Sequence, residues 1–309
     1  MKKLLIILVL LNSFVLFGCQ QKKEMNIEEI TIIDDMEEEI IIKEEPKRII
    51  SLYSAHTQNL YDLGLKDNIV GISTNDEFPK DILDKEKFSY KSDPEDIIAK
   101  NPDLVLIRPF INRTKPEFVK ILKDANINVV SLYPNDFNEF DSYIEKLGKI
   151  TFKEEKSKEL LENFHKKLDE FKEFSNNISQ DDKKSIYFEA SKKNYKTVTK
   201  DSMASKAIEL AGGVNIASDA KPVKQGSTIA IIDVEQLVSR GDKIDYYLCQ
   251  KGKMNPAIKK EDVLNREEFK NIKAIKNKDV YIIDEAIISR PTFRYIEGIE
   301  YIKELLYKE

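Results

Sequence analysis

The sequence predicts an α/β protein of two lobes joined by a long helix. Short apolar runs alternate with helical segments over residues 30–136, a pattern typical of parallel βα units. A mostly helical stretch without proline follows at 137–175. After the polar segment "SNNISQDDKK", strand–helix alternation resumes with "SIYFEA" and continues over 183–309. Two α/β lobes with a helical connection are the simplest architecture for this order.

Each element of the first lobe has a local signal. Two β-rich runs around Asp34 and Asp35 indicate a hairpin, and "RIISLY" indicates a buried strand. In "SAHTQNLYDLGL", apolar residues at helical spacing and a stop at Gly64 predict a helix. "DNIVGIST" predicts a strand, and the stretches "DPEDIIAKNPDLVLIRP" and "PEFVKILKDANINVVSLYP" each predict a helix followed by a strand. The first lobe is therefore expected to contain a parallel sheet.

The connecting stretch has its apolar residues at roughly helical spacing amid charge. These residues are Leu147, Ile150, Leu160, Leu161, Phe164, Leu168 and Phe171. The pattern predicts about 30 helical residues and leaves open whether the helix is interrupted near Gly148. His165 lies on this helix and is expected to be structural or exposed.

The first residues predict export. A basic start, "MKK", precedes about 15 apolar residues, which is the length of a signal peptide and too short for a comfortable membrane span. Residues 1–18 are therefore interpreted as a signal peptide. "LFGC" resembles the lipobox of bacterial lipoproteins, which implies that Cys19 is lipidated and that 19–29 is a tether. The alternative is a short anchor that is not cleaved, and both interpretations place the remainder outside the cytoplasmic membrane.

Composition excludes several function classes. The chain of 309 residues carries a formal net charge of −5 with interspersed Lys and Glu, so nucleic-acid binding is not expected. Cys249 is the one cysteine besides Cys19, which leaves no Cys-rich zinc site. No Gly-rich phosphate loop, nucleophile elbow or His/Cys metal spacing occurs, so an enzyme is not predicted.

A weak internal echo suggests duplication. "DPEDIIAKNPDLVLI" at 93–107 aligns with "DVEQLVSRGDKIDYYL" at 233–248. Asp93 and Asp233 occupy expected N-cap positions, and Glu95 and Glu235 fall in the first turns. Helix capping and the helix dipole would explain these carboxylates without any functional role.

Six motifs, in order, resemble the periplasmic-type binding proteins of ABC importers that carry ferric siderophores, haem or cobalamin. The resemblance covers roughly residues 30–309 and rests on "ITIIDDMEEEIIIKEEPKRIISL", "SDPEDIIAKNPDLVLI", "ILKDANINVVSL", "ELAGGVNIASDA", "DVEQLV" and "IKAIKNKDVYIIDEAIISRPTFRYIEGIEYI". It implies two Rossmann-like lobes joined by one long helix, with a ligand cleft between them that closes only slightly. It also implies that Glu95 and Glu235 dock onto an ABC permease, which works with its ATPase.

The cleft residues can be predicted from the strand ends, because ligands of open α/β sheets bind beyond the carboxyl ends of the strands. The expected loops are "YSAHTQ", "STNDEF", "RPFINRTK", "YPNDF", "ASKKNYK", "QKGKMNPA" and "SRPTFR", with "KPVKQGS" as a further candidate. The predicted ligand-binding residues are His56, Arg108, Arg113, Tyr133, Tyr195, Arg290, Arg294 and Tyr295. Facing arginines suit an anionic ligand, since guanidinium groups stay charged and bind oxygens in a fork.

The expected ligand is an iron chelate, with a ferric siderophore first. Cobalamin, haem bound through His56 or a tyrosine, and an oxyanion such as molybdate are the alternatives. No intrinsic cofactor is expected, and the residues do not define a metal-ligand set. A surface sensor or adhesin lipoprotein is the alternative that would not need Glu95 and Glu235.

Overall fold

The computed structural model describes residues 29–307, and its fold confirms the predicted α/β class with parallel sheets in two lobes. Residues 1–28, which include Cys19, the signal peptide and most of the tether, lie outside the described residues. Within 29–307, no helix combines the length and apolar character needed to cross a bilayer.

The N-terminal lobe is built on a five-stranded parallel sheet with the strand order β5-β4-β3-β6-β7. An antiparallel hairpin, β1-β2, precedes it. The strands are β1 (Ile30–Ile33), β2 (Glu39–Ile42), β3 (Ile49–Ser51), β4 (Ile69–Ser73), β5 (Lys87–Phe88), β6 (Leu104–Ile107) and β7 (Asn128–Ser131). The helices are α1 (Ser54–Asp62), α2 (Pro94–Ile98), α3 (Pro109–Thr114) and α4 (Pro116–Asp124).

The connecting stretch forms two helices, α5 (Phe140–Ile150) and α6 (Glu154–Asn176), so the helix is interrupted shortly after Gly148, a point that the sequence left open. Helix α5 ends in a Schellman-type arrangement, in which Phe152 has a φ of 58° and the Lys153 N–H donates to the Gly148 carbonyl at 2.7 Å. Gly148 permits close packing of the two helices, because a Cβ there would lie 2.3 Å from the Ser157 hydroxyl oxygen. Helix α6, of 23 residues, is about 34 Å long.

The C-terminal lobe contains a four-stranded parallel sheet, β10-β8-β13-β14, and a small antiparallel sheet, β11-β12-β9. The strands are β8 (Lys184–Glu189), β9 (Thr197–Val198), β10 (Gly213–Asn215), β11 (Lys221–Pro222), β12 (Ile229–Ile231), β13 (Tyr246–Lys251) and β14 (Val280–Asp284). The helices are α7 (Met203–Leu210), α8 (Val234–Ser239), α9 (Lys260–Leu264), α10 (Lys273–Asn277), α11 (Glu285–Ile288) and α12 (Tyr295–Tyr307). Single 3-10 turns occur at Lys80–Ile82, Phe137–Glu139, Lys193–Tyr195, Gly241–Lys243 and Glu267–Phe269.

One hydrophobic cluster runs through both lobes and the connection. It contains Ile49 and Leu104 of the first sheet, Phe164 of α6, and Ile186 of the second sheet. Helix α5 packs on the hairpin strand β1, whereas α6 packs on α7 and α12 of the second lobe. Because the lobes share this core, their relative position is held by packing as well as by the helical connection.

Candidate functional site

A cavity of about 650 Å³ lies between the lobes at the carboxyl ends of their strands. Its first-lobe wall comes from segments after β3, β4, β5, β6 and β7, and its second-lobe wall from segments around β9, β12, β13 and α11. Four cationic and two anionic side chains line it, namely Lys91, Arg108, Lys253 and Arg290, with Asp136 and Glu285. Its position is the one that the parallel-sheet rule predicts, and its volume is typical of small-molecule sites.

Arg108 directly follows β6 and forms the centre of the first-lobe wall. Its guanidinium carbon lies 4.4 Å from the ring centroid of Tyr53 and 5.7 Å from that of Tyr133. Among the described residues Arg108 makes no ion pair, and its Nε is buried without a hydrogen-bond partner. The tyrosine rings stabilise the cation through their faces without neutralising it, so a ligand anion can still bind it.

The two tyrosines under Arg108 are neutral phenols. Burial raises the pKa of Tyr53 well above its ordinary value, with a further contribution from neighbouring Tyr133. Burial likewise raises the pKa of Tyr133, although nearby Arg108 acts in the opposite direction. Both residues line the cavity, where they provide aromatic surface and hydroxyl groups for a ligand.

Arg290 lies on the second-lobe wall and is paired. One of its terminal nitrogens donates to the Glu285 carboxylate at 2.9 Å, and the side chains are 12% and 17% exposed. The other Glu285 oxygen accepts the backbone N–H of Lys253 at 2.9 Å. The two cavity arginines therefore differ, because Arg108 has no carboxylate partner in residues 29–307 whereas Arg290 has one.

Asp76 lies buried next to the cavity lining. Its carboxylate accepts the Ser73 backbone N–H at 2.7 Å and the Thr57 hydroxyl at 2.8 Å. Burial raises its pKa, and the charge of Arg290 is among the influences that oppose this rise. This carboxylate fixes the end of β4 and the turn that follows it, where Ser73 to Asn75 line the cavity.

The prediction that His56 faces the cleft is wrong. The ring is fully buried in α1, with Nδ1 2.8 Å from the Tyr143 hydroxyl and Nε2 3.1 Å from the Ile107 carbonyl oxygen. Desolvation lowers its pKa to about 3. Both ring nitrogens are occupied, so His56 anchors α1 beneath the cavity and has no free nitrogen for a ligand.

Four other predicted ligand residues lie outside the cavity lining. Arg113 is exposed in the last turn of α3. Arg294 pairs with Glu297 at 2.8 Å and lies 4.2 Å from the ring centroid of Phe78, so it bridges the lobes next to the cavity.

Tyr195 donates to Glu268, and Tyr295 is fully buried and donates to the Met203 carbonyl at 2.7 Å. Helical and loop geometry turned these side chains away from the loop ends that sequence could identify.

The structure brings three predicted residues together in the cavity lining: Arg108, Tyr133 and Arg290. Sequence reasoning missed the segment Ser89–Lys91, because strand β5 has only two residues and gives no strand signal. It also missed Glu285, which lies at the start of α11 inside what reads as an apolar run. In the described part of the chain, no group of three His, Cys, Asp or Glu side chains could hold a metal ion.

Glu95 and Glu235 occupy equivalent exposed positions, the second residues of α2 and α8. In the sequence, α2 begins three residues after the cavity-lining Lys91, and α8 begins five residues after the cavity-lining Ile229. The Asp93 side chain caps α2 by accepting the Glu95 N–H at 3.1 Å, as predicted. Asp233 takes the N-cap position of α8 without a side-chain hydrogen bond, which corrects the expected capping role.

Comparison with known proteins agrees with this architecture. Residues 49–287 match the family model described as "Periplasmic binding protein". The chain is 30% identical over 315 residues to the uncharacterized ABC transporter substrate-binding lipoprotein YvrC of Bacillus subtilis, covering 97% of this chain and 96% of that protein. It is 28% identical to a vitamin B12-binding protein of Vibrio campbellii, with 84% and 88% covered.

A solved structure shares the fold at similar identity. It is described as a possible iron-binding (periplasmic solute-binding) protein of Staphylococcus epidermidis, with 27% identity, a TM-score of 0.72, and coverage of 86% of this chain and 100% of that chain. These relatives are solute-binding proteins, so the prediction that the chain is not an enzyme is confirmed. The chain belongs to the periplasmic binding protein family and is an extracytoplasmic substrate-binding protein of an ABC transporter.

Proposed function

We propose that this protein captures an anionic iron chelate, with a ferric siderophore as the first choice, and delivers it to an ABC permease and its ATPase. The observation that carries the proposal is the cationic Arg108, which lies over two tyrosine rings in the inter-lobe cavity without a carboxylate partner among the described residues. A guanidinium in this setting binds carboxylate or catecholate oxygens strongly, because charge-assisted hydrogen bonds are shorter and stronger than neutral ones.

Charge supports an anion over a cation. The cavity is lined by four cationic side chains and two carboxylates, although the whole chain carries a formal net charge of −5. Walls of one dominant sign in a cleft attract ligands of the opposite sign and raise their local concentration. A positive cleft in an acidic protein is therefore a local feature that favours anionic ligands.

Size and lining support a chelate over a small oxyanion. A cavity of about 650 Å³ is far larger than an oxyanion such as molybdate requires, and its walls include aromatic and aliphatic side chains. Tyr53, Tyr90 and Tyr133 line the first-lobe side. An organic ligand with both apolar surface and anionic oxygens can contact the aromatic and aliphatic side chains as well as the cationic ones.

Cobalamin is the second candidate, because of the same tyrosine-rich wall and the similarity to a vitamin B12-binding protein. Haem could be ligated through His56 or through a tyrosine. Ligation through His56 is disfavoured, because both of its ring nitrogens already make hydrogen bonds within the protein. Haem coordination through Tyr53 or Tyr133 would need a phenolate, which their raised pKa values disfavour in the unliganded protein.

Delivery would use the two equivalent glutamates and a membrane anchor. Glu95 and Glu235 are exposed, one on each lobe, and their side-chain carboxylates make no hydrogen bond or ion pair within residues 29–307. Docking onto basic permease residues through both would place the cavity over the transport path. Lipidation of Cys19 would keep the protein at the membrane, a role consistent with the similar lipoprotein of Bacillus subtilis.

Native mass spectrometry of the chain from Gln20 onward would test the ligand. The panel contains ferric catecholates, ferric hydroxamates, ferric citrate, haem, cobalamin and molybdate. A tight complex with an anionic iron chelate is the expected result. Binding of cobalamin alone would be consistent with the transport role but would contradict the proposal that the ligand is an iron chelate. If no ligand of the panel bound, a sensor or adhesin role would be favoured.

Charge reversal at both docking positions would test delivery separately. The double variant Glu95→Lys/Glu235→Lys should abolish uptake in cells and leave ligand affinity unchanged, because both side chains lie outside the cavity lining. Exposed Glu159 offers a matched single reversal on α6. Uptake that survives the double reversal would contradict docking through these residues.

A further inference from the structure

We propose that Glu285 sets the charge selectivity of the cavity by competing with anionic ligands for Arg290. The proposal rests on the proposed function and names a residue that determines which chelates the site accepts. Glu285 lines the cavity and pairs with Arg290 at 2.9 Å, so the second-lobe arginine already holds a carboxylate when no ligand is bound.

The Glu285 carboxylate is fixed in place by two features of the wall. Its second oxygen accepts the Lys253 backbone N–H at 2.9 Å. Its side chain packs against the bare backbone of Gly252, where a Cβ atom would lie 2.0 Å from the carboxylate oxygen. The ion pair is therefore built into the wall and is not a chance surface contact.

The pairing makes the two cavity arginines unequal. A ligand anion can approach Arg108 without displacing a carboxylate, since Arg108 contacts tyrosine rings. A ligand anion that binds Arg290 must share its guanidinium with the Glu285 carboxylate. The two negative charges are then close together in a partly desolvated site, where they repel each other strongly. Glu285 therefore lowers the affinity for ligands that are anionic on every side, and disfavours neutral ligands much less.

The substitution Glu285→Gln removes the charge with little change of shape. The amide oxygen can still accept the Lys253 N–H, whereas the amide NH₂ group cannot accept from Arg290. Arg290 then becomes available to a ligand anion. Glu285→Ala removes the group completely and should shift affinity in the same direction, which provides a second variant if the glutamine alters folding.

Glu297→Gln is the matched control. Glu297 forms the analogous pair with Arg294 a few residues further along the chain, but neither residue lines the cavity. Removing its charge changes the net charge of the protein by the same amount. Any effect specific to Glu285 is thus separated from a general electrostatic effect.

Titration calorimetry with a trianionic ferric tricatecholate and a neutral ferric trihydroxamate tests the proposal. Glu285→Gln should bind the trianion at least about tenfold more tightly than the unsubstituted chain, with the neutral chelate and the Glu297→Gln control changed by less than about twofold. Equal or weaker binding of the trianion by both Glu285 variants would overturn the role of Glu285 and leave the proposed function standing. If no variant bound either chelate, the proposed function would fail, and the inference with it.

Discussion

Arg108 lies with its guanidinium carbon 4.4 Å from the centroid of the Tyr53 ring, in a wall where Arg108 has no ion-pair partner among the described residues. The Tyr53 ring in turn packs edge-on against buried His56, with the centroids 5.1 Å apart. A cation on an aromatic surface that is itself anchored in the core is pre-organised, so little conformational freedom is lost when it binds an anion.

Arg108→Ala should weaken binding of an anionic ferric catecholate by about ten- to a hundredfold, because hydrogen bonds to charged groups contribute about 1.5–3 kcal/mol. Titration calorimetry measures the change. Arg113→Ala is the matched control, since Arg113 is exposed on α3, the helix that directly follows Arg108, and lies outside the cavity lining. Equal losses in the two variants would mean that long-range charge, and not contact with Arg108, attracts the ligand.

Alanine substitutions at Arg290 and Arg294, the two arginines of "SRPTFR", should have different effects on ligand affinity in the same assay. Arg290→Ala removes a cavity cation and leaves Glu285 without its ion-pair partner, so anionic chelates should bind at least about tenfold more weakly. Arg294→Ala should change affinity by less than about twofold, because Arg294 pairs with Glu297 outside the cavity. A larger loss for Arg294→Ala would show that its contact with Phe78 controls lobe closure.

Features that depend on local sequence patterns could be predicted from the sequence, whereas features that depend on tertiary packing could not. Strand–helix alternation fixed the fold class, and strand ends identified most cavity loops, because both follow from local patterns and sheet topology. Side-chain direction did not follow from those patterns. Arg108 and Arg113 differ by five residues, yet only Arg108 lines the cavity, because Arg108 precedes α3 and Arg113 lies in its last turn.

Burial of polar residues was the other feature that sequence could not reveal. The sequence pattern predicts that His56 lies between a strand and a helix, as a cleft residue would, but His56 lies inside α1 and the hydroxyl group of Tyr143, 87 positions away, binds its Nδ1. Glu285 pairs with Arg290 and with the Lys253 backbone, contacts that depend on how β13 and β14 align. Long-range partners of this kind decide whether a polar residue is structural or binds a ligand.

The pH dependence of stability should report the burial of His56. Burial lowers its folded pKa to about 3, below about 6.5 in an unfolded chain, so the unfolded state binds more protons between these values. Its contribution to stability is present above pH 6.5 and is lost as the pH falls, by about 1.4 kcal/mol per pH unit near pH 5. Urea unfolding between pH 7 and 4.5 measures this slope.

His56→Gln should remove that part of the slope, whatever the substitution does to stability at neutral pH. His165→Gln serves as the control, because His165 is exposed on α6 and pairs with Asp141 at 2.7 Å. An unchanged slope in His56→Gln would contradict a neutral, buried His56.

The buried pair of Glu189 and Arg266 provides the strongest stability prediction in the second lobe. Glu189 is fully buried and also accepts from the Tyr247 hydroxyl, while the Arg266 side chain is 9% exposed and contacts the Tyr195 ring. Arg266→Leu leaves a buried carboxylate without its cation and should lower the free energy of unfolding by about 3–5 kcal/mol. Adding Glu189→Gln should restore part of this loss, because the buried charge is then removed as well. Lys120→Met breaks an exposed pair with Asp124 and should leave the urea midpoint nearly unchanged. A loss in Arg266→Leu as small as in that control would show that water reaches Glu189 and solvates its charge.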